Sequence, residues 1–338
     1  MIPFLSTNLP KDVSADVMQT VYETLKTPIK HGAVMKLESD FTDSPSVFRK
    51  DGVFYMYFIS ISKNTGVSGY ETHLARSTDL LHWDYVGPIF RRNDLNRWDS
   101  KQCAGYAAYL DIDFDGSYEL QKVAGAYHIS YLAGNSDGYE PDPLYMGLSR
   151  SEDPTDPLGF TRFPDPILRP EDPDSRPFET RTLYKSFLFA DKALTTGYPY
   201  VNIYNAKDEN NRERIFLAVS EDGEHFERYG DRAVLDLIQD ADAPAIITGD
   251  PQIIRLNDLY VMLFFRLDPN RRAYDTFACS YDLQNWTVWR GEPLIRSTEA
   301  WDNVYAHKPW FIRHEGVNYH FYCAVNDKGE RFIAVAHS

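Results

Sequence analysis

Basic charge is scarce in this 338-residue chain. Lys and Arg total 35 against 50 Asp and Glu, a formal net charge of -15 at pH 7. Nucleic-acid recognition depends on basic patches, so no nucleic-acid partner is expected and a neutral ligand fits better. Cysteine is scarcer. Cys103, Cys279 and Cys323 are odd in number and none has metal-site spacing, so neither a disulfide framework nor a zinc centre is indicated. They read as buried thiols. No apolar run approaches a membrane span. The start, Met1-Ile2-Pro3-Phe4-Leu5-Ser6, lacks the basic opening and long apolar stretch of a secretion signal. As written the chain reads as cytoplasmic, or as periplasmic or secreted if a signal has been removed.

What is plentiful is aromatic: 14% of the chain, with Tyr 23 and Phe 20. That composition suits packed sheets or a surface on which sugars stack. The length allows two average domains or one large all-β domain.

Only residues 12–26 carry a helical pattern. Val13, Val17, Val21 and Leu25 recur every fourth position, Asp12 or Ser14 can cap the start, and Pro28 stops it. From Asp43 onward the chain repeats. The clearest unit is a strand, a Ser-x-Asp turn and an aromatic six residues after the serine. It occurs as Ser77-Thr78-Asp79 with Trp83, Ser220-Glu221-Asp222 with Phe226, and Ser280-Tyr281-Asp282 with Trp286. Ser151-Glu152-Asp153 is a degraded copy, with Pro157 in the aromatic's place, and Ser338 is a truncated one. Ser and Asp side chains bond nearby backbone amides, which holds such a turn.

A strand-like run precedes each turn, from Gly52, Ala126, Tyr198, Leu259 and Val317, so there are five repeats. The repeat serines are 74, 69, 60 and 58 residues apart. Four strands with loops at this period describe propeller blades. The expected fold is therefore all-β: a five-bladed β-propeller over 32–338. An N-terminal extension over 1–31 carries the short helix. The fifth repeat ends after its third strand, and the strand near 33–37 would close the ring and remove an exposed edge. The proline-rich stretch 154–178 reads as an ordered loop over the ring rather than a domain boundary.

Three stretches place an ionisable residue just before a proline and a strand: Asp43-Ser44-Pro45, Asp250-Pro251 and His307-Lys308-Pro309. In a propeller these mouths face the central channel. The second and third repeats offer Trp98 to Tyr106 and Glu179 to Ser186 at the same place. Carboxylates from different strands around one pocket suit glycoside cleavage. Glu71 and Glu140 each follow a Gly-Tyr pair and read as structural or substrate-contacting groups at a rim.

Those motifs resemble the five-bladed propeller glycoside hydrolases, the group that includes families 43, 117 and 130. The marks are the Asp-x-Pro-x-Val opening at Asp43, the Ser-x-Asp-Leu-x-x-Trp turns at Ser77 and Ser280, and Gly-x-x-Tyr strands at Gly52 and Gly316. The resemblance to family 43 implies an inverting mechanism with Asp43 as general base. Asp250 would orient and tune, and Glu179 or, on the family 117 pattern, His307 would be the acid. Gln102, Tyr106, Lys185 and Lys308 would hold sugar hydroxyls, and Trp98 would stack on a sugar face or pack between blades. The expected substrate is a small plant- or algal-type oligosaccharide. Two alternatives stay open: a phosphorylase using Lys185, Arg181 and Lys308 for phosphate, and a propeller that binds glycan without cutting it. No cofactor is required. The channel leaves room for a structural divalent cation, and the oligomeric state is left open.

Overall fold

The computed structural model describes residues 10–64 and 68–338; residues 1–6, on which the leader expectation rests, lie outside the described residues. Among the described residues one helix, α1 (Ala15–Leu25), is followed by twenty strands. Ser14 caps the helix by accepting from the Val17 amide, and Met18, Val21 and Leu25 are buried. No helix among the described residues is long and apolar enough to cross a membrane.

The first strand, β1 (Ile29–Met35), pairs far from its place in sequence and is taken last. The others run in antiparallel fours. The first is β2 (Asp40–Lys50), β3 (Val53–Ser62), β4 (Tyr70–Ser77) and β5 (Asp84–Phe90). The second is β6 (Gln102–Ala107), β7 (Tyr127–Gly134), β8 (Tyr145–Ser151) and β9 (Thr161–Arg162). The third is β10 (Thr182–Ala190), β11 (Tyr200–Lys207), β12 (Glu213–Ser220) and β13 (Glu227–Arg228). The fourth is β14 (Ile247–Leu256), β15 (Leu259–Leu267), β16 (Ala273–Ser280) and β17 (Thr287–Val288). Last come β18 (Tyr305–His314), β19 (Val317–Val325) and β20 (Arg331–His337), and β1 pairs antiparallel with β20 as their fourth member. The N-terminal strand thus closes the final group. It begins at Ile29, so the boundary expected at 31/32 falls inside it.

The first strands of the groups lie against one another in sequence, and β18 returns to β2. Their residues fill the centre. Val47, Phe187, Ile253 and Trp310 are fully buried or nearly so, and the Trp310 indole donates to the Val47 carbonyl at 2.8 Å.

The serine turns are built as their spacing predicts. Ser77 Oγ accepts from the amides of Asp79 and Leu80, and Asp79 Oδ1 accepts from Leu81 and His82. The Trp83 indole then donates to the Leu80 carbonyl. The turns at Ser220 and Ser280 repeat the amide contacts.

Candidate active site

The inner strands break register at one common place. Pairing skips between Asp43 and Ser46 in β2, Leu183 and Ser186 in β10, Gly249 and Gln252 in β14, and His307 and Trp310 in β18. Such bulges re-aim side chains. The proline supplies no amide to the ladder, so it fits the slot. Ser44, Asp250 and Lys308, each just before a proline, have φ of 43°, 55° and 66°. A non-glycine residue held there carries local strain, a feature that clusters at functional sites. This is the physical content of the repeated ionisable-x-Pro pattern.

The bulges open into a cavity of about 370 Å³. Its lining includes Tyr106, Lys185, Asp250, His307 and Lys308, all expected from sequence, and also Tyr139, Glu140, Tyr184, Asn205, Glu213, Arg271 and Arg331. Lys185 forms the floor: its Nζ lies 5.1 Å from the Trp310 ring centre and 5.6 Å from that of Tyr106.

Asp43 lies just behind this lining and is 1% exposed. Lys308 Nζ and Arg331 Nη1 each donate to its Oδ2 at 3.0 Å, and the Ser44 amide donates to Oδ1 at 2.7 Å. Burial alone would raise its pKa, but the two cations outweigh that and hold the carboxylate well below its usual range. Lys308 is the mirror case: burial would lower it, and Asp43 and Asp250 hold it above the ordinary lysine value. His307 is pushed down to about 3 by burial and by the Lys308 charge, so it is neutral. Its Nδ1 sits 3.1 Å from the Cys323 carbonyl, which fixes that nitrogen as the donor.

Asp250 and Lys185 face each other across 3.9 Å. Burial raises the Asp250 pKa, and its Oδ2 has no hydrogen-bond partner among the described residues. Burial lowers Lys185 to about 8, with Lys308 pushing the same way.

Glu213, at the start of β12, is the group sequence reasoning passed over. It lines the cavity and accepts from Asn205 Nδ2 at 2.7 Å, while Asn205 Oδ1 accepts from the Asp250 amide at 3.1 Å. Burial raises its pKa to about 8, and the Glu140 charge adds to the rise. Glu140 itself accepts hydrogen bonds from the hydroxyls of Tyr70 and, at 3.4 Å, Tyr184. Burial first, and then the neighbouring Glu140 and Asp250 charges, thus push Glu213 towards its protonated form. Glu71, the sequence echo of Glu140, instead accepts from the Arg92 amide and does not line the cavity.

Three expected site residues are placed elsewhere. Glu179 is fully buried outside the cavity, gripped by Arg176 Nε at 2.9 Å, Arg228 Nε at 2.6 Å and the Tyr204 hydroxyl at 2.7 Å. It pins the end of the proline-rich stretch to β11 and β13. Gln102 is buried; it donates to the carbonyls of Ser136 and Gly138, holding the loop that carries Glu140. Trp98 stacks on Tyr131 and donates to the Pro164 carbonyl. Arg181, weighed as a phosphate ligand, pairs with Asp142. Among the described residues no group of three His, Cys, Asp or Glu side chains is arranged to hold a metal ion.

Solved structures match this chain over nearly its whole length, and two of them stand at 37% identity. One, named as a glycoside hydrolase, is 37% identical with a TM-score of 0.90, covering 97% of this chain and 96% of the other. The chain belongs to the glycoside hydrolases. The second, named as a complex of BT0996 and RGII, gives the same identity, coverage and TM-score. A thermostable family-43 glycoside hydrolase, 16% identical with a TM-score of 0.62 and 92% of each chain covered, shares the fold. No protein-family model matches the chain, and no curated protein sequence does. This glycoside hydrolase is thus a glycan-cleaving enzyme of the nearly all-β kind, and its cavity is where its carboxyl groups converge.

Proposed function

We propose that the five four-stranded groups are the blades of one propeller domain, and that the axial cavity hydrolyses a glycosidic bond with Glu213 as general acid and Glu140 as its partner carboxylate. The observation that carries this is the placement of Glu213: buried in the cavity lining with Glu140 and bonded to Asn205, with burial holding its pKa up. A general acid must hold its proton at working pH, and about 8 does so. Asp43 is a poor base for the opposite reason: a carboxylate tied to two cations has little proton affinity. We assign it to positioning Lys308 and Arg331. Glu179, enclosed by two arginines, and neutral His307, whose Nδ1 proton is held by a carbonyl, are not read as the acid. Lys185, Asp250 and Tyr106 hold sugar hydroxyls at the floor.

The substrate is an oligosaccharide. The likeness to the RGII complex supports RGII or a related glycan, in keeping with the aromatic and hydroxyl-rich lining.

The test is a panel of plant oligosaccharides and aryl glycosides, with and without phosphate. Sugar release independent of phosphate is expected; a strict phosphate requirement would sink hydrolysis in favour of phosphorolysis. Binding without turnover would sink the enzyme reading of this pocket. The product anomer, followed by NMR, reads the role of Glu140. Inversion, the course implied by family 43, places a water between Glu140 and the sugar; retention puts the carboxylate on the anomeric carbon itself.

A further prediction concerns Asp43. Asp43→Asn leaves Lys308 and Arg331 buried without their carboxylate and is expected to destabilise the fold by about 3 kcal/mol. Its pH–rate profile should keep the wild-type shape. Loss of a pH limb on this substitution would restore Asp43 as the base.

A further inference from the structure

Three hairpins whose flanking strands carry cavity-lining residues share one turn design. Between β11 and β12, Asp208 accepts from the amides of Asn210 and Arg212, and Asn211 has φ 56°. Between β15 and β16, Asp268 accepts from the Arg272 amide, and Arg271 has φ 62°. Between β19 and β20, Asn326 accepts from the amides of Lys328 and Glu330, and Gly329 has φ 76°. The left-handed position is thus filled by Asn, Arg and Gly in turn. Asn and Gly are the residues that conformation favours; arginine is not. The turn chemistry therefore gives no reason for Arg271.

Its surroundings give one. Arg272, beside it, is paired with Asp268, and Arg181 donates to Asn211 on the neighbouring hairpin. The Arg271 guanidinium makes no ion pair among the described residues, is exposed, and lines the cavity mouth with Arg331 and Lys308. Those two cations are paired with one carboxylate oxygen of Asp43 and Lys185 faces Asp250, so among the described cations of this lining Arg271 is the one without an ion pair. The chain as a whole carries -15, yet its cavity mouth presents unpaired guanidinium.

We infer that Arg271, with Arg331, is a specificity-determining residue that receives a carboxylate on the glycan, carried by the sugar unit beside the scissile bond. The inference rests on the glycosidase reading of this cavity. The planar guanidinium matches a carboxylate with two parallel N–H donors, which makes the contact directional as well as attractive. It also changes the expected substrate from neutral to acidic: the net charge describes the chain as a whole, and the unpaired Arg271 guanidinium is a local exception to it.

The experiment compares an acidic oligosaccharide with its carboxyl-reduced counterpart and with a sulfated analogue. Wild type is expected to prefer the acidic form by about 10- to 100-fold in kcat/KM, the range of a charge-assisted hydrogen bond. In Arg271→Asn, which installs the residue used on the β11–β12 hairpin, that ratio should fall towards one. The melting temperature should be no lower than that of wild type, because Asn suits the turn. Equal rates on acidic and reduced substrates in wild type, an unchanged ratio in Arg271→Asn, or preference for the sulfate ester would each overturn the proposal. Calorimetric binding to Glu213→Gln separates this from the catalytic reading. If nothing is hydrolysed, carboxylate-dependent binding lost in Glu213→Gln/Arg271→Asn still supports the site, and binding indifferent to the carboxylate overturns it.

Discussion

Glu213→Gln is expected to lower kcat/KM on natural oligosaccharides by about 10²- to 10⁴-fold, the usual contribution of a positioned proton donor. The variant should fold, since an amide can keep a contact with Asn205 in place of the carboxyl at 2.7 Å. Its pH dependence is the more telling result. Wild-type kcat/KM should fall as pH rises through about 8, because Glu213 then loses the proton it must donate. Lys185 titrates in the same region. The limb belonging to Glu213 is therefore the one that vanishes in Glu213→Gln, and the limb belonging to Lys185 vanishes in Lys185→Met.

The same shift has a stability consequence. The folded-state pKa of Glu213 lies above the ordinary glutamate value of 4.5, so the folded protein holds this proton after the unfolded chain has lost it. Wild type accordingly loses stability, relative to the Gln variant, as pH rises from about 4.5 to about 8, and the difference levels off above that. Denaturant unfolding at a series of pH values measures it. A constant difference across the range would show that Glu213 is ionised in the fold.

Glu179→Ala carries the largest expected effect on stability, a loss of about 3–5 kcal/mol. Removing it leaves the buried Arg176 without a carboxylate partner and the Tyr204 hydroxyl without its acceptor. The proline-rich stretch loses the tie through Glu179 and keeps those from Arg228 to Asp172, Asp174 and the Arg169 carbonyl. The folded fraction should retain kcat/KM within a few-fold. Urea midpoints and rates measured on the same samples separate the two effects. A stable but inactive Glu179→Ala would return Glu179 to the catalytic centre.

How much of this the sequence could disclose follows from the range of each interaction. The serine turns were legible because Ser77 bonds amides two and three residues on. The proline echo was legible because a bulge is local, although its consequence, four strands turning side chains into one cavity, is not. Asp43 looked like a free acid because its partners Lys308 and Arg331 lie 265 and 288 residues away. Glu179 looked like an inner-strand acid for the same reason, since Arg228 reaches it from 49 residues downstream. Glu213 sits in the hydrophilic run Asn210-Asn211-Arg212-Glu213-Arg214, which reads as a solvated hairpin. Only the packing of β12 beside β14, with Glu213 level with Ile247, brings it over the cavity. Glu140 left a faint signal in its Gly-Tyr-Glu echo, but Glu71 shares that pattern without the position.

The central claim is that Glu213 delivers the proton to the leaving oxygen, and leaving-group dependence tests it most directly. Rates of wild type and Glu213→Gln are compared on aryl glycosides whose phenols range from strongly acidic to weakly acidic. The account predicts that the variant approaches wild type on the most acidic phenol, which departs without help, and falls behind steadily as the phenol becomes more basic. An impairment of equal size on every leaving group would contradict it.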